Sequence, residues 1–437
     1  MSVRLIGAVY HERGSVDLGD PILDDRAMSS EILSRAAALR AWACHQGFGS
    51  SATHSPQTIV ATRGWVRTLG GADPYFGLFA RGAQLELAPI SAAVQAGELR
   101  VTPAVRGCMY LVAAAHADLA LSVAHHGSQV RSQRDIEKAG GTAKQIDKTA
   151  KAIVRALEAG PQTTAELRKG PAAKAIVSFG DKGKKVGSTS SLPVALRQLE
   201  FDGAIERTPI DGRLDTETYQ WSVRQTKLTK HAPADAERAI AAMFFEHHSP
   251  ASFEHFVAWS GLGKKVAKAA MAELDLVEVE VETHADEPEK MWATVAAMKL
   301  AYSKAKPKGV ALLGLQDLYL VVRGGPSSVC PAAHLDVEIP RWGPIGGGSI
   351  RATKHPHLRA LLVDGMLAGF WDVNARMDEQ VLAWLDTPSK TVARAAERQV
   401  AGLRSFMAAE LGHSKIYSID SDAKIDARFE LVRGLGS

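Results

Sequence analysis

The sequence predicts an α+β protein in which tandem helical units precede a C-terminal part that is rich in strands. Two patterns predict this class. Over residues 29–305, a series of helices followed by a strand or hairpin occurs three times. Strand patterns become frequent beyond residue 306. The composition agrees, because 46% hydrophobic and 23% charged residues are typical of a chain that buries a core.

A chain of 437 residues is too long for one ordinary core, so we expect several units. The patterns divide it into an N-terminal extension over 1–28, three units over 29–130, 131–230 and 231–305, and a C-terminal region over 306–437 that ends in a helix. Residues 1–27 show neither helical nor strand periodicity, so Met28 is an alternative start of the protein.

The first unit opens with a helical pattern over residues 32–42, which Gly47 and Gly49 end. Ser55 followed by Pro56 has the form of an N-cap with proline at the first helical position, and it predicts a second helix. A third helix is predicted around residues 90–96, before a strand-like run over 99–112.

The second unit repeats this order more clearly. An amphipathic helix over residues 150–157 stops at Gly160, and Thr164 can cap a short helix that ends at Gly170. A third helix over 188–199 precedes two strands, 204–208 and 218–223, and Asp211 and Gly212 lie in their connection. Three helices followed by a hairpin is the order of a winged helix, a variant of the helix-turn-helix.

The third unit has a helix from residue 236 to 247, then Ser249 and Pro250 before a second helix. A third helix over 264–274 and an alternating strand over 277–281 complete the copy. Three copies of one order predict a tandem array.

Beyond residue 308 we expect a strand over 310–322. Asp317 lies within this strand, as a residue of a sheet edge or of a functional site. A hairpin is predicted from 358–363 and 366–371, because Asp364-Gly365 is typical of a tight turn. A long helix is predicted over 389–410.

Several classes of protein are disfavoured. No run of about 18 apolar residues is present, and the N-terminus lacks a secretory pattern, so we expect a cytoplasmic protein without membrane contact. Cys44, Cys108 and Cys330 are scattered, which favours free thiols over a disulfide framework or zinc finger. The histidine spacings complete no metal site, and no phosphate-binding loop predicts a nucleotide cofactor. We expect a monomer with neither metal nor cofactor.

Positive charge is concentrated in one segment. Residues 131–185 contain 13 Lys and Arg against 6 Asp and Glu, although the whole chain carries only +4. Such a segment predicts phosphate contacts with double-stranded DNA, and a solvated face is the alternative interpretation.

The predicted third helix of the second unit would read DNA in the major groove, with the hairpin in an adjacent groove. A serine-rich helix start at an ordinary protein contact is the alternative. The Lys182 to Lys185 stretch is predicted to be a flexible basic loop that contacts phosphates or acts as a tether. The candidate DNA-binding residues are Ser188, Thr189, Ser190, Arg197, Gln198, Arg207, Arg213, Lys182, Lys184 and Lys185.

Four motifs resemble the winged-helix DNA glycosylases of the AlkZ/YcaQ type. They are Leu69-Gly-Gly-Ala-Asp-Pro74 with Leu78-Phe-Ala-Arg81, Arg106-Gly-Cys-Met-Tyr-Leu-Val112, Ser249-Pro-Ala-Ser-Phe-Glu-His-Phe256 with Trp259-Ser-Gly-Leu262, and Leu361-Leu-Val-Asp-Gly365 with Gly369-Phe-Trp371. They occur in the family's order. The resemblance implies tandem winged helices with a β-rich C-terminal part, and excision of alkylated or crosslinked bases.

The chain departs from this family at the catalytic motif. The resemblance implies Gln-apolar-Gln or Gln-apolar-Asp, whose side chains position and activate water, whereas this chain has Gly71-Ala72-Asp73. Asp73 is the candidate catalytic residue, because one carboxylate can polarise water and stabilise a cationic sugar. The alternative is that Asp73 and Pro74 form a turn.

Three functions follow as hypotheses. The first is a DNA-binding protein on a glycosylase scaffold that acts in damage recognition or regulation, with weak or lost base excision. The second is an active DNA glycosylase that uses Asp73. The third is a protein-interaction scaffold, since winged helices also bind proteins.

Overall fold

The computed structural model describes residues 32–48, 52–340 and 347–436. The predicted N-terminal extension and Met28 lie outside the described residues. Within them, helices and antiparallel sheets alternate along the chain, which confirms the α+β class.

The first part of the chain forms a helical layer against a sheet of order β1-β3-β2. Ser55 caps the second helix as expected, because its Oγ accepts a hydrogen bond from the Thr58 N–H at 3.1 Å. The elements are α1 Arg35–Gln46, α2 Pro56–Arg63, β1 Val66–Arg67, α3 Asp73–Phe79, α4 Leu87–Gln95, β2 Leu99–Pro103, β3 Met109–Ala113 and α5 Ala117–Lys138.

The second part contains its own hydrophobic core. Ile146 and Ile153, one face of its first helix, pack against Leu192 and Leu196 of its last helix and against Trp221. Its sheet has the order β4-β6-β5. The elements are α6 Ala143–Glu158, β4 Gln162–Thr163, α7 Thr164–Lys169, α8 Gly180–Lys185, α9 Ser191–Phe201, β5 Ile205–Pro209 and β6 Tyr219–Val223.

The third part combines three helices with a two-stranded sheet. Its core merges with that of the first part through Phe244, Phe256 and Trp259. The elements are α10 Pro233–His248, α11 Phe253–Ser260, α12 Lys264–Ala272, β7 Val277–Val281, β8 Glu289–Ala293 and α13 Val295–Tyr302. Helix α1 also packs here, against α13, so the chain's first described helix shares a core with later elements.

The C-terminal part is built on a sheet of order β14-β13-β12-β9, covered by two helices. The β12–β13 turn at Asp364 and Gly365 is confirmed, and both residues have positive φ, as a tight hairpin requires. The elements are β9 Val310–Leu312, α14 Leu318–Val321, β10 Glu338–Pro340, β11 Gly347–Ser349, β12 Arg359–Val363, β13 Met366–Val373, β14 Gln380–Trp384, α15 Lys390–Phe406 and α16 Asp422–Leu435.

In the site region one predicted strand was wrong and one helix was missed. The strand predicted over residues 310–322 ends at Leu312, and Asp317 caps α14 by accepting a hydrogen bond from the Tyr319 N–H at 2.9 Å. Apolar residues flank Gln316 and Asp317 on both sides because most of the segment is buried, so periodicity alone does not separate strand from helix. Helix α3, which begins at Asp73, was not predicted because it is only seven residues long.

Boundaries in the second part also differ from the sequence prediction. Thr163, not Thr164, caps α7, in a capping box with Glu166. Lys182, Lys184 and Lys185 lie in the short helix α8 rather than in a loop, because residues 180–185 close one helical turn over Phe179. Helix α9 starts at Ser191, so Ser188 and Thr189 precede it.

Two histidines at the end of α10 are buried among the first, third and C-terminal parts. His247 and His248 are each 3% exposed. Burial, together with the positive charges of nearby Arg63 and Arg323, lowers the pKa of His247 to about 3 and that of His248 well below its usual value. Both imidazoles are therefore neutral in the folded protein at neutral pH.

We expect acid to destabilise the fold before its carboxylates titrate. A histidine takes up a proton near pH 6.5 when unfolded, whereas these two stay neutral when folded, so stability is lost as the pH falls below 6.5. One such histidine costs about 3 kcal/mol between pH 6.5 and pH 4. Urea unfolding across this range measures the free energy of unfolding. His247→Leu should reduce the slope of this free energy against pH. Equal slopes for parent and variant would contradict this origin.

Candidate active site and nucleic-acid interface

Asp73, the candidate catalytic residue, is the first residue of α3. Pro74 follows within the first helical turn, where a missing N–H breaks no hydrogen bond of the helix. Directly before the helix, the Ala72 N–H donates to the Lys415 carbonyl at 2.7 Å. Asp73 therefore stands at a helix start that the C-terminal segment holds in place.

The Asp73 carboxylate is held from two sides. Its Oδ1 accepts two hydrogen bonds from Arg359, from Nε at 2.9 Å and from a terminal nitrogen at 2.8 Å. Its Oδ2 accepts one from the Leu315 N–H at 2.5 Å. A carboxylate offers about four acceptor positions, so about one position on Asp73 is left.

Arg359 extends this contact into a buried charge network. Its guanidinium is fully buried and also donates to Asp372 at 2.8 Å, and Asp372 accepts from Arg428 at 2.5 Å. The rings of Phe76 and Trp371 lie 5.0 and 5.3 Å from the guanidinium carbon. Opposite charges alternate along the network, which compensates for the loss of hydration on burial.

Two opposing effects act on the acidity of Asp73. Burial is the larger and raises the pKa of Asp73 above its usual value, while the charge and hydrogen bonds of Arg359 and the Leu315 N–H oppose the rise. A raised pKa makes the carboxylate a better proton acceptor near neutral pH. The side chain keeps 12% of its surface exposed, which gives water a route to it.

Asp73 lines a cleft between the first and C-terminal parts. The cleft is bordered by α3, by the segment before β1, and by the loop that precedes α14. Its polar and charged lining residues are Gln46, Arg63, Arg67, Asp73, Arg81, Gln316 and Asp317.

Most polar groups deeper in the cleft bind one another. Arg81 donates to both carboxylate oxygens of Asp317, at 2.8 and 2.7 Å, and to the Gln46 side-chain oxygen at 2.7 Å. The Gln46 amide nitrogen donates to the carbonyls of Arg63 and His247. These groups join α1, α3 and α14, so they fix the shape of the cleft.

Main-chain atoms fill the space next to Gly71, the position at which the resemblance implies a glutamine. Gly71 has φ +82°, and its N–H donates to the Asp215 carbonyl at 2.7 Å. A Cβ at this position would lie 2.5 Å from the Ile416 carbonyl and 2.6 Å from the Lys415 oxygen. The chain therefore lacks room for any side chain here, not only the glutamine itself.

Most of the candidate DNA-binding residues reach the surface of the second part. Arg197 and Gln198 are exposed on α9, Thr189 is exposed just before it, and Ser188 and Ser190 are half-buried. Lys182, Lys184 and Lys185 are exposed on α8. These eight residues are thus exposed or half-buried, on α8, on α9 and in the segment between them.

Arg207 and Arg213 are bound within the protein instead. Arg207 makes two hydrogen bonds to Glu200, whose side chain is 3% exposed, and lies over the Trp221 ring. Arg213 binds Asp215, at 2.8 and 2.6 Å, and two carbonyls after α15. Both guanidinium groups are occupied, so we leave them out of the interface proposed below.

Sequence analysis missed a basic face on α6. Its members are spaced by four, three and four residues, so they lie along one side of the helix, and all are exposed. They are Lys144, Lys148, Lys151 and Arg155. The helical spacing of these cations was a signal that could have found this face.

A second basic group surrounds His355 and includes Arg67, one of the residues that line the cleft. Desolvation, followed by the positive charges of Arg106, Arg67 and Lys354, lowers the pKa of His355. Arg106 stands at the turn between β2 and β3 in a left-handed conformation, φ 60°. These residues are far apart in sequence, so no local pattern could have grouped them.

The described residues contain no cluster of three His, Cys, Asp or Glu side chains that could hold a metal ion. Within the same part of the chain, the helices are all too short or too polar to span a bilayer.

Comparison with known proteins gives one family and one fold. The family model described as AlkZ-like, DNA glycosylase AlkZ-like, matches residues 66–406. The chain is similar in structure to the DNA glycosylase AlkZ of Streptomyces sahachiroi, with a TM-score of 0.63 and 18% sequence identity. The match covers 87% of this chain and 98% of that one. No curated protein matches the chain.

We expect substitution of Gly71 to destabilise the protein. Gly71→Ala adds strain from its positive φ and a collision with the Ile416 carbonyl, which together should cost about 2 kcal/mol or more. Gly71→Gln adds the same Cβ and should cost at least as much. Thermal and urea unfolding of the purified variants measure the effect.

Gly107→Ala is the matched control. Gly107 also has positive φ, +69°, but none of the described residues places an atom within 4 Å of a Cβ there. It should cost only the conformational strain, about 1 kcal/mol. If Gly71→Ala and Gly107→Ala are equally stable, main-chain atoms do not exclude a side chain at position 71.

Proposed function

Because this chain belongs to the family of AlkZ-like DNA glycosylases, we propose that it binds damaged duplex DNA and retains only weak base excision, centred on Asp73. The observation that carries the proposal is the site itself: a carboxylate stands where the family's motif ends, while the first position of that motif has no side chain and no room for one.

The weakness of the chemistry follows from the contacts of Asp73. Arg359 neutralises the carboxylate and Leu315 occupies Oδ2, so less of its charge is available to stabilise a cationic sugar. Its raised pKa and remaining exposure still let it accept a proton from water. The contacts are consistent with slow excision rather than efficient catalysis.

We interpret three parts of the chain as winged-helix units over residues 29–130, 131–230 and 231–305, followed by the region 306–437. In the second unit, α9 would be the recognition helix and the β5–β6 hairpin the wing. Support comes from exposed Arg197 and Gln198 on α9 and from the cations on α6 and α8. This unit has its own core, so it can present these side chains as a module.

The proposed interface combines three sets of residues. Helix α9 and the residues just before it would contact bases, while lysines of α8 and the basic face of α6 would contact phosphates. Its members are Ser188, Thr189, Ser190, Arg197, Gln198, Lys182, Lys184, Lys185, Lys144, Lys148, Lys151 and Arg155. The excess of positive charge over residues 131–185 favours DNA over a purely protein partner. A cytoplasmic, monomeric protein without a cofactor stays a prediction.

We expect Arg197→Ala to weaken duplex binding by about tenfold and to leave the melting temperature unchanged, because Arg197 is exposed and forms no ion pair within the described part of the chain. Fluorescence anisotropy with a labelled duplex measures the binding.

Arg207→Ala is the matched comparison within the same unit. It leaves the buried Glu200 carboxylate without its partner, so it should lower stability by about 3 kcal/mol. Unchanged duplex binding by the Arg197 variant would show that α9 does not read DNA.

The proposed chemistry is tested by abasic-site formation on a duplex that carries one N7-methylguanine. The parent should form abasic sites slowly, and Asp73→Asn should lower the rate about a hundredfold or more, because the neutral amide accepts no proton. Fast excision that survives Asp73→Asn would overturn both the catalytic assignment and the proposed weakness. Binding without any excision would leave DNA recognition as the function.

A further inference from the structure

One glutamine in the cleft forms no side-chain hydrogen bond with the part of the chain that the structure describes. Gln316 lines the cleft together with Asp73, and its side chain is half-buried. Among the described residues, its amide has no hydrogen-bond partner. This distinguishes it from Gln46 in the same cleft, whose oxygen and nitrogen are both bound.

The main chain brings Gln316 beside Asp73. Leu315, its neighbour in sequence, donates its N–H to Asp73 Oδ2. The residue before Leu315 is Gly314, and a Cβ there would lie 2.8 Å from the Asp73 Cβ. Absence of a side chain at Gly314 therefore lets this loop approach the start of α3 closely, which no larger residue would allow.

The residue after Gln316 keeps the loop in place. Asp317 caps α14 and forms the two-point contact with Arg81. The loop is thus fixed on both sides of Gln316, by Leu315 against Asp73 and by Asp317 against Arg81. The backbone at Gln316 is therefore fixed beside the cleft, and its amide is available to a bound molecule.

We propose that Gln316 supplies the water-positioning amide that the Gly71 position lacks, so that a glutamine and a carboxylate from separate elements act as a pair. The inference rests on the proposed excision activity. Asp73 and Gln316 are 243 positions apart in sequence. In this proposal the loop before α14 supplies the amide that a side chain on the segment before α3 would otherwise supply.

The substrate class follows from the chemistry. Water would lie between Gln316 and Asp73. The Gln316 side-chain oxygen would accept a hydrogen bond from the O–H that stays on the water oxygen, and the remaining acceptor position of Asp73 would take the other proton. The water oxygen bonds to the sugar C1′ as the bond from C1′ to the base nitrogen breaks, and that bond's electron pair leaves with the base. A cationic N-alkylated purine leaves as a neutral base, so no proton donor is needed.

The test compares three proteins on a duplex that carries one N7-methylguanine: the parent, Gln316→Ala and the control Gln95→Ala. Gln95 is an exposed glutamine at the end of α4, away from the cleft lining. Single-turnover rates of abasic-site formation at saturating protein, duplex affinity and melting temperature are measured for each.

We expect Gln316→Ala to lower the single-turnover rate about a hundredfold while affinity and melting temperature match the parent. Gln95→Ala should behave as the parent in all three measurements. Equal rates for the parent and Gln316→Ala overturn the role of Gln316 and leave the proposed function standing. A parent that forms no abasic sites overturns the proposed excision and the role of Gln316 together, while its affinity still tests DNA binding.

Discussion

The buried pair of Asp73 and Arg359 joins the two halves of the molecule. One partner starts α3 in the first part and the other starts β12 in the C-terminal sheet, 286 residues away. Removing Arg359 would leave the Asp73 carboxylate without its cationic partner in a largely buried place, which costs about 3–5 kcal/mol. The position of α3, and with it one wall of the cleft, therefore depends on this ion pair.

A second network of hydrogen bonds, centred on Asp215, also holds α3 in place. Asp215 is fully buried and accepts hydrogen bonds from Tyr75 in α3, from Arg213 and from His413. It thereby links the hairpin of the second part to α3 and to the C-terminal segment that covers Gly71. The basic unit is attached to the candidate active site through this contact, although its core is separate.

Local signals explain which features the sequence could predict. Ser55 with Pro56 gave α2, Asp364 with Gly365 gave the hairpin, and the motif around Asp73 gave the candidate catalytic residue through its resemblance. These depend on neighbours in sequence. Arg359 and Gln316 carry no such signal, because only the folded sheet and the loop before α14 bring them to Asp73.

The same limit applies to the candidate arginines, whose role in DNA binding stays a prediction. Arg207 lies beside a predicted hairpin, where a sequence pattern cannot distinguish a guanidinium facing solvent from one facing a buried Glu200. The cations of α6 could have been found, because Lys144, Lys148, Lys151 and Arg155 repeat at helical spacing.

Stability and reactivity oppose each other at Asp73. The hydrogen bonds from Arg359 and Leu315 are what make a buried carboxylate tolerable, and the same bonds reduce the charge it can offer to a reacting sugar. A free carboxylate would be a stronger catalyst but would need hydration that the cleft restricts. A neutral amide escapes this conflict, because it positions water without bringing a second charge into the cleft. Gln316 can therefore contribute at a site where another carboxylate could not be accommodated without a further arginine.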